Sequence, residues 1–263
     1  MPAPKRRLPS PPYNPGVRDL VEGKRAGDAR ANPADQPAGF RGWHERGYIP
    51  HRDSPGLTQF ITWHLADAFP AALRGEWVAL LKIEEDRERR KELEAYLDKG
   101  RGKAWLRRPD IAAVCEGALR QFDRERYALK AWCLMPNHVH VLVLVTTVPM
   151  SNFVKSWKGY TARIGNQLLA RGYSCPQQRE PTPAPKALHT PSSPQASLTA
   201  GPSSNSFWAD GYWDTYMRDA DQERRAICYI ENNPVKAGLV RSPDEWPWSS
   251  RRFRDESGRL HLP

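Results

Sequence analysis

Long apolar runs, patterned cysteines and acidic charge are all scarce in this 263-residue chain, and each scarcity removes a class of protein. No run approaches the roughly 20 apolar residues of a membrane-spanning helix. The N-terminus, MPAPKRRLPSPPYNPG, also lacks an apolar stretch of secretory-signal kind. Membrane anchoring is therefore not expected. The four cysteines, Cys115, Cys133, Cys175 and Cys228, match neither a zinc spacing nor a disulfide framework, so a reducing, cytoplasmic setting is the simplest expectation. Only 30 Asp and Glu face 40 Lys and Arg, giving a formal charge of +10. That balance favours a polyanionic partner, nucleic acid ahead of anionic lipid, without specifying a sequence.

Proline, by contrast, is abundant at 25 residues, and mean hydropathy is -0.72, so part of the chain contributes little to a core. The prolines concentrate at two places. Residues 1–42 are rich in Pro, Gly, Ala and Arg without a sustained period and read as a flexible basic arm. Residues 174–206 contain seven prolines among Ser, Thr and Ala and read as a disordered insertion. Between and after them, 43–252 reads as a single domain carrying the insertion, followed by a tail at 253–263.

Alternation over 58–66 predicts a strand with Phe60, Thr62 and His64 on one face and Ile61, Trp63 and Leu65 on the other. His64 is expected to be an edge residue. Residues 70–99 read as two helical pieces, and the run EEDRERRKELEAYLDKG as a solvated face. A better amphipathic helix spans 109–127, with Pro109 in its first turn. YALKAWCL and HVHVLVLV flank Pro136-Asn137 and predict an antiparallel hairpin whose second strand, 138–145, lies inside a sheet. Ser151 is expected to cap a helix to about Leu169, with Trp157 in the core. A last helix covers 221–232, limited by Pro234, with one further turn to Gly238. The irregular stretch after 241 is expected to pack back through Trp246 and Trp248.

His138 and His140 stand two apart, so a strand presents both on one face. Read alone, the pair is either two half-buried sheet histidines or two ligands to one cation. On the 221–232 helix, Arg225, Tyr229 and Asn233 follow at intervals of four and share a side. If that side covers the histidines, a guanidinium, a phenol and an amide surround them; otherwise Tyr229 packs beside Ile230 and Asn233 ends a helix. Lys155, Lys158, Arg163 and Lys236 are candidate phosphate contacts, or solvated charges. Tyr160 is a candidate for stacking on an unpaired base, and the rival nucleophile.

PNHVHVLV resembles the His-hydrophobic-His motif of the HUH nucleases. YIENNPVKAGLV, the preceding RDADQERRAI and the later WPWSS resemble the REP-associated tyrosine transposases, relatives of the IS200/IS605 single-strand transposases. GYIPHRDSPGLTQFITWHLAD, SWKGYTARIGNQLL and FWADGYWD are similar to the same family, so the likeness covers most of 43–252. It implies an α+β fold, a central antiparallel sheet with packed helices, ferredoxin-like in outline. It implies Tyr229 as nucleophile, with His138 and His140 as ligands to one divalent cation, Mg²⁺ or Mn²⁺. Asn233 stands where many relatives place a third ligand, a Gln, and is one methylene shorter. The implied activity is cleavage and rejoining of single-stranded DNA near palindromic hairpins through a 5′-phosphotyrosine linkage. The chain would act as a monomer or as a dimer with itself. Two other readings fit the residues: a non-catalytic nucleic-acid-binding module of the same fold, and a metal-dependent hydrolase using water.

Overall fold

The computed structural model describes residues 34–45, 50–69, 86–171 and 206–262. In chain order the elements are β1 (Gly42–Glu45), β2 (Pro50–Asp53), β3 (Thr58–His64), α1 (Asp86–Asp98), α2 (Pro109–Arg120), β4 (Tyr127–Leu134), β5 (His138–Val145), α3 (Met150–Ala170), β6 (Trp213–Tyr216) and α4 (Ala220–Lys236). The basic arm to residue 33, the helical piece expected before 86 and nearly all of the proline-rich insertion lie outside the described residues.

β1 and β2 form a two-stranded ribbon, while the main sheet runs in the order β4-β5-β3-β6 with every pairing antiparallel. Numbered within the main sheet, its strands follow the order 4-1-3-2, and α2 and α3 fill the two crossovers. This is the α+β, ferredoxin-like arrangement of a split βαβ pair. The hairpin expected around Pro136-Asn137 is the β4–β5 pair, and β5 is interior.

Period two divides β5 into unlike halves. Val139, Val141, Val143 and Val145 join Ile61 and Trp63 of β3 against Ile111, Cys115 and Leu119 of α2 and Phe153, Val154 and Trp157 of α3. Trp157 is in this core as expected: its indole stacks on Trp63 with ring centroids 5.9 Å apart and donates Nε1–H to the Tyr127 hydroxyl at 2.9 Å. Gly165 is required where α3 passes Phe207, because a Cβ there would stand 2.6 Å from the ring. Leu142, on the opposite sheet face, packs with Ala131, Cys133, Met135 and with Ala226 and Ile230 of α4. His138 and His140 share that face.

Several boundaries differ from expectation. α2 stops at Arg120, because the chain must reverse through a turn containing Arg124, at φ +65°, before β4 begins. α3 starts one residue before Ser151, and no side chain caps it. α4 runs through Pro234 to Lys236. Proline this close to a C-terminus removes little, since the Ala237 and Gly238 amides still reach the Asn233 and Val235 carbonyls. Asn233 is consequently an internal residue of the helix. His64 is not at an edge: β3 has β5 on one side and β6 on the other, and the imidazole is buried, stacked on Trp213. The segment after 241 is more ordered than expected. Trp248 accepts from the Leu134 amide and Ser250 Oγ from the Trp132 amide, so WPWSS covers the outer edge of β4. No helix among the described residues is long and apolar enough to cross a membrane.

Candidate active site

Antiparallel register sets Thr62 opposite His140 and His64 opposite His138, which gathers four polar side chains on the sheet face that α4 covers. Both His138 and His140 are completely buried. Their outer nitrogens face each other, with Nε2 to Nε2 at 3.1 Å.

The inner nitrogens explain that orientation. His138 Nδ1 donates to Asn137 Oδ1 at 2.8 Å, and Asn137 Nδ2 donates in turn to the Arg101 carbonyl at 3.0 Å. The second bond fixes which end of the Asn137 amide is oxygen, so the His138 proton sits on Nδ1 and its Nε2 presents a lone pair. His140 Nδ1 is 2.8 Å from Thr62 Oγ1, a hydroxyl able to accept the same way. In that tautomer two lone pairs point at one place. Burial holds both imidazoles neutral, His138 well below the usual range and His140 down to about 3.

α4 supplies the remaining groups because 229, 233 and 236 lie on one side of it. Asn233 is fully buried with Nδ2 3.3 Å from His140 Nε2, and its Oδ1 has no hydrogen-bond partner. The Tyr229 ring lies 5.8 Å from that of His140, and Phe60 of β3 packs against both. Lys236 places Nζ 5.2 Å from the centre of the Tyr229 ring. Arg225 is exposed one turn earlier.

These donors fit a divalent cation. Two imidazole nitrogens 3.1 Å apart match neighbouring ligands in an octahedral shell with bonds of about 2.1 Å. An orphaned buried amide oxygen beside them is the kind of atom a cation satisfies. Among the described residues no three His, Cys, Asp or Glu side chains gather to hold a metal; the amide of Asn233 is a further oxygen donor beside the two histidines.

α1 brings two carboxylates that the sequence reading assigned to solvent. The Tyr229 hydroxyl donates to Glu94 Oε2 at 2.8 Å. Asp98, one turn on, accepts from Lys236 Nζ at 2.8 Å, while its Oδ1 has no hydrogen-bond partner and stands 3.9 Å from His138 Nε2. A signal for this was present. Leu93, Tyr96 and Leu97 are buried, so the charged run is one flank of an amphipathic helix, and Glu94 and Asp98 border its apolar stripe. Burial raises the Tyr229 phenol far above its ordinary value, Glu94 and Asp98 raise it further, and the Asn233 amide offsets part of this.

The candidates on α3 are elsewhere. Its buried side, Phe153, Val154, Trp157 and Thr161, faces the sheet surface opposite to the histidines, so the exposed Lys155, Tyr160 and Arg163 lie beyond that layer. Tyr160 is therefore separated from the histidines and is not a rival to Tyr229. Lys158 donates to the Ala209 and Gly211 carbonyls at 2.7 and 2.5 Å and ties down the stretch before β6. Burial lowers its pKa to about 8.

The site and fold define an antiparallel α+β domain with a paired-histidine centre beside a helical tyrosine. The family model described as "Transposase IS200 like" matches residues 100–172, a segment that includes both histidines and most of α3. Over that segment, less than a third of its length, the chain is similar to the IS200-like transposases. A structure described as that of a REP-associated tyrosine transposase bound to a REP hairpin is similar over 84% of this chain and 98% of its own. Identity there is 15% and the TM-score 0.41, a likeness too distant to assign anything to this chain. No curated protein matches significantly.

Proposed function

We propose that the chain is a tyrosine transposase that cuts and rejoins single-stranded DNA, with Tyr229 as nucleophile and one divalent cation held by His138, His140 and Asn233. The observation that supports this best is the convergence of two Nε2 lone pairs and a buried, unpartnered amide oxygen beside a helical tyrosine hydroxyl. When bound, a Mg²⁺ or Mn²⁺ ion would polarise a non-bridging phosphate oxygen and absorb charge in the transition state. Asn137 and Thr62 hold the histidine rings in the tautomer that ligation requires.

Tyr229 attacks phosphorus, a tyrosyl O–P bond forms, and the bond to the 3′ oxygen breaks. The products are a 5′-phosphotyrosine linkage and a 3′-hydroxyl. Because the link is still a phosphodiester, another 3′-hydroxyl can reverse the attack and join new ends. Lys236 and Arg225, on the Tyr229 side of α4, are the proposed contacts to the backbone phosphates, and the +10 charge favours approach of the strand. Lys155, Tyr160 and Arg163 contact DNA only if the strand also reaches the α3 layer.

A hairpin is the proposed landmark beside the cut. Incubation of the protein with Mn²⁺ or Mg²⁺ and an end-labelled hairpin oligonucleotide carrying single-stranded flanks tests the reading. The expected result is a covalent protein–DNA band that disappears with Tyr229→Phe. Cleavage that survives Tyr229→Phe would mean a water nucleophile, and binding without cleavage would mean a non-catalytic module.

A further inference from the structure

We propose that Glu94 is the proton acceptor of the strand-cutting step: its carboxylate takes the Tyr229 hydroxyl proton as the tyrosyl O–P bond forms. The inference rests on the reading of Tyr229 as nucleophile and adds a residue from α1, an element outside the matched family segment.

The hydroxyl must lose its proton as the tyrosyl O–P bond forms, and an acceptor already in contact with it takes that proton without an intervening step. Glu94 Oε2 accepts from the hydroxyl at 2.8 Å, within the range a general base requires.

The His138 and His140 Nε2 atoms face each other and are the proposed ligands, so their lone pairs are not available to the phenol. Asp98 Oδ1 stands 3.9 Å from His138 Nε2, and its other oxygen holds Lys236 at 2.8 Å. That pair anchors the same face of α1 one turn beyond Glu94, and it sets the ammonium over the Tyr229 ring, where positive charge favours the developing phenolate. The α1–α4 contact thus positions base, nucleophile and cation together.

The step balances. In cutting, Tyr229 O–H and Glu94 carboxylate become tyrosyl O–P and Glu94 carboxylic acid, while the departing 3′ oxygen takes a proton from water. In joining, an incoming 3′-hydroxyl gives its proton to water as it bonds to phosphorus, and Glu94 returns its proton to the leaving tyrosyl oxygen.

The test compares single-turnover cutting of a labelled hairpin oligonucleotide with Mn²⁺ by the full chain and by Glu94→Gln, Glu94→Asp and Tyr229→Phe. Glutamine still accepts the Tyr229 hydrogen bond but cannot take its proton. The expected result is a fall of about 100-fold or more in adduct formation for Glu94→Gln, with oligonucleotide affinity and melting temperature unchanged. Glu94→Asp should recover a substantial part of the rate, and the wild-type rate should be slower in D₂O. Wild-type adduct formation with Glu94→Gln cutting within threefold of wild type, or with equal rates in H₂O and D₂O, overturns the role of Glu94 and leaves the nucleophile intact. A wild-type chain that forms no Tyr229-dependent adduct overturns both.

Discussion

The two faces of β5 come from one eight-residue stretch and do opposite work. Val139, Val141, Val143 and Val145 close a dry core under α2 and α3, whereas His138 and His140 open onto polar groups from α1 and α4. On the valine face, contacts are numerous and interchangeable, and their worth lies in area removed from water. On the histidine face the two rings are held in orientation by single polar partners, Asn137 and Thr62. The difference teaches that a strand buried on both sides can carry a polar cluster on one of them when neighbouring elements supply partners for its buried polar atoms.

The sharpest way to break this comparison is on the histidine face. His140→Ala removes one proposed ligand and leaves Thr62 and Asn233 without their ring partner. The expected outcome is a fall of about 10³-fold in covalent adduct formation. Mn²⁺ affinity, followed by electron paramagnetic resonance, should collapse in parallel. Unaltered metal affinity would remove His140 from the ligand set.

A truncation on the other face should do the reverse. Trp157→Ala empties the space against Trp63 and cancels a bond to Tyr127, at an expected cost of about 3–5 kcal/mol in urea unfolding. Mn²⁺ affinity per folded molecule should hold. A loss of metal binding at full foldedness would show the faces to be coupled.

Acid should weaken the metal-free protein through the histidine face. Burial lowers the His64 pKa to about 4 from an ordinary value of 6.5. The native ring stays neutral while the unfolded chain takes up a proton. Stability is full above about pH 6.5 and falls between pH 6.5 and 4, by about 1.4 kcal/mol per pH unit for this one residue. His138 and His140 act in the same direction. Urea midpoints at pH 7 and pH 5 in the presence of a chelator check this, and equal midpoints would refute it.

The smallest effect is expected on the outer layer. Lys155→Ala combined with Arg163→Ala changes exposed side chains beyond the valine face, so stability should shift by less than about 0.5 kcal/mol. The cutting rate at saturating oligonucleotide should be unchanged. A drop in that rate would mean that the strand wraps to α3.

Much of this arrangement was legible in the residues. HVHVLVLV declares an interior strand with two histidines on one face, because β-branched density and period two leave little else. ADQERRAICYIENNPVK places Tyr229 and Asn233 on one helical side by spacing alone. The carboxylates were harder. Glu94 and Asp98 sit among many charges, and local pattern does not tell a carboxylate facing water from one facing a phenol. Lys155, Lys158 and Arg163 lie away from the histidine face for the complementary reason: helical spacing ranks a residue as outward without saying on which side of the sheet its helix lies.

By itself, then, the sequence determined which side chains each element carries and on which of its own faces, since backbone geometry and the hydrophobic period act within a few residues. Only the tertiary structure decided that α4 and α1 cover the histidine face while α2 and α3 cover the valine face. That choice depends on strand order and on contacts between residues as far apart as Glu94 and Tyr229, where packing rather than local propensity sets the outcome.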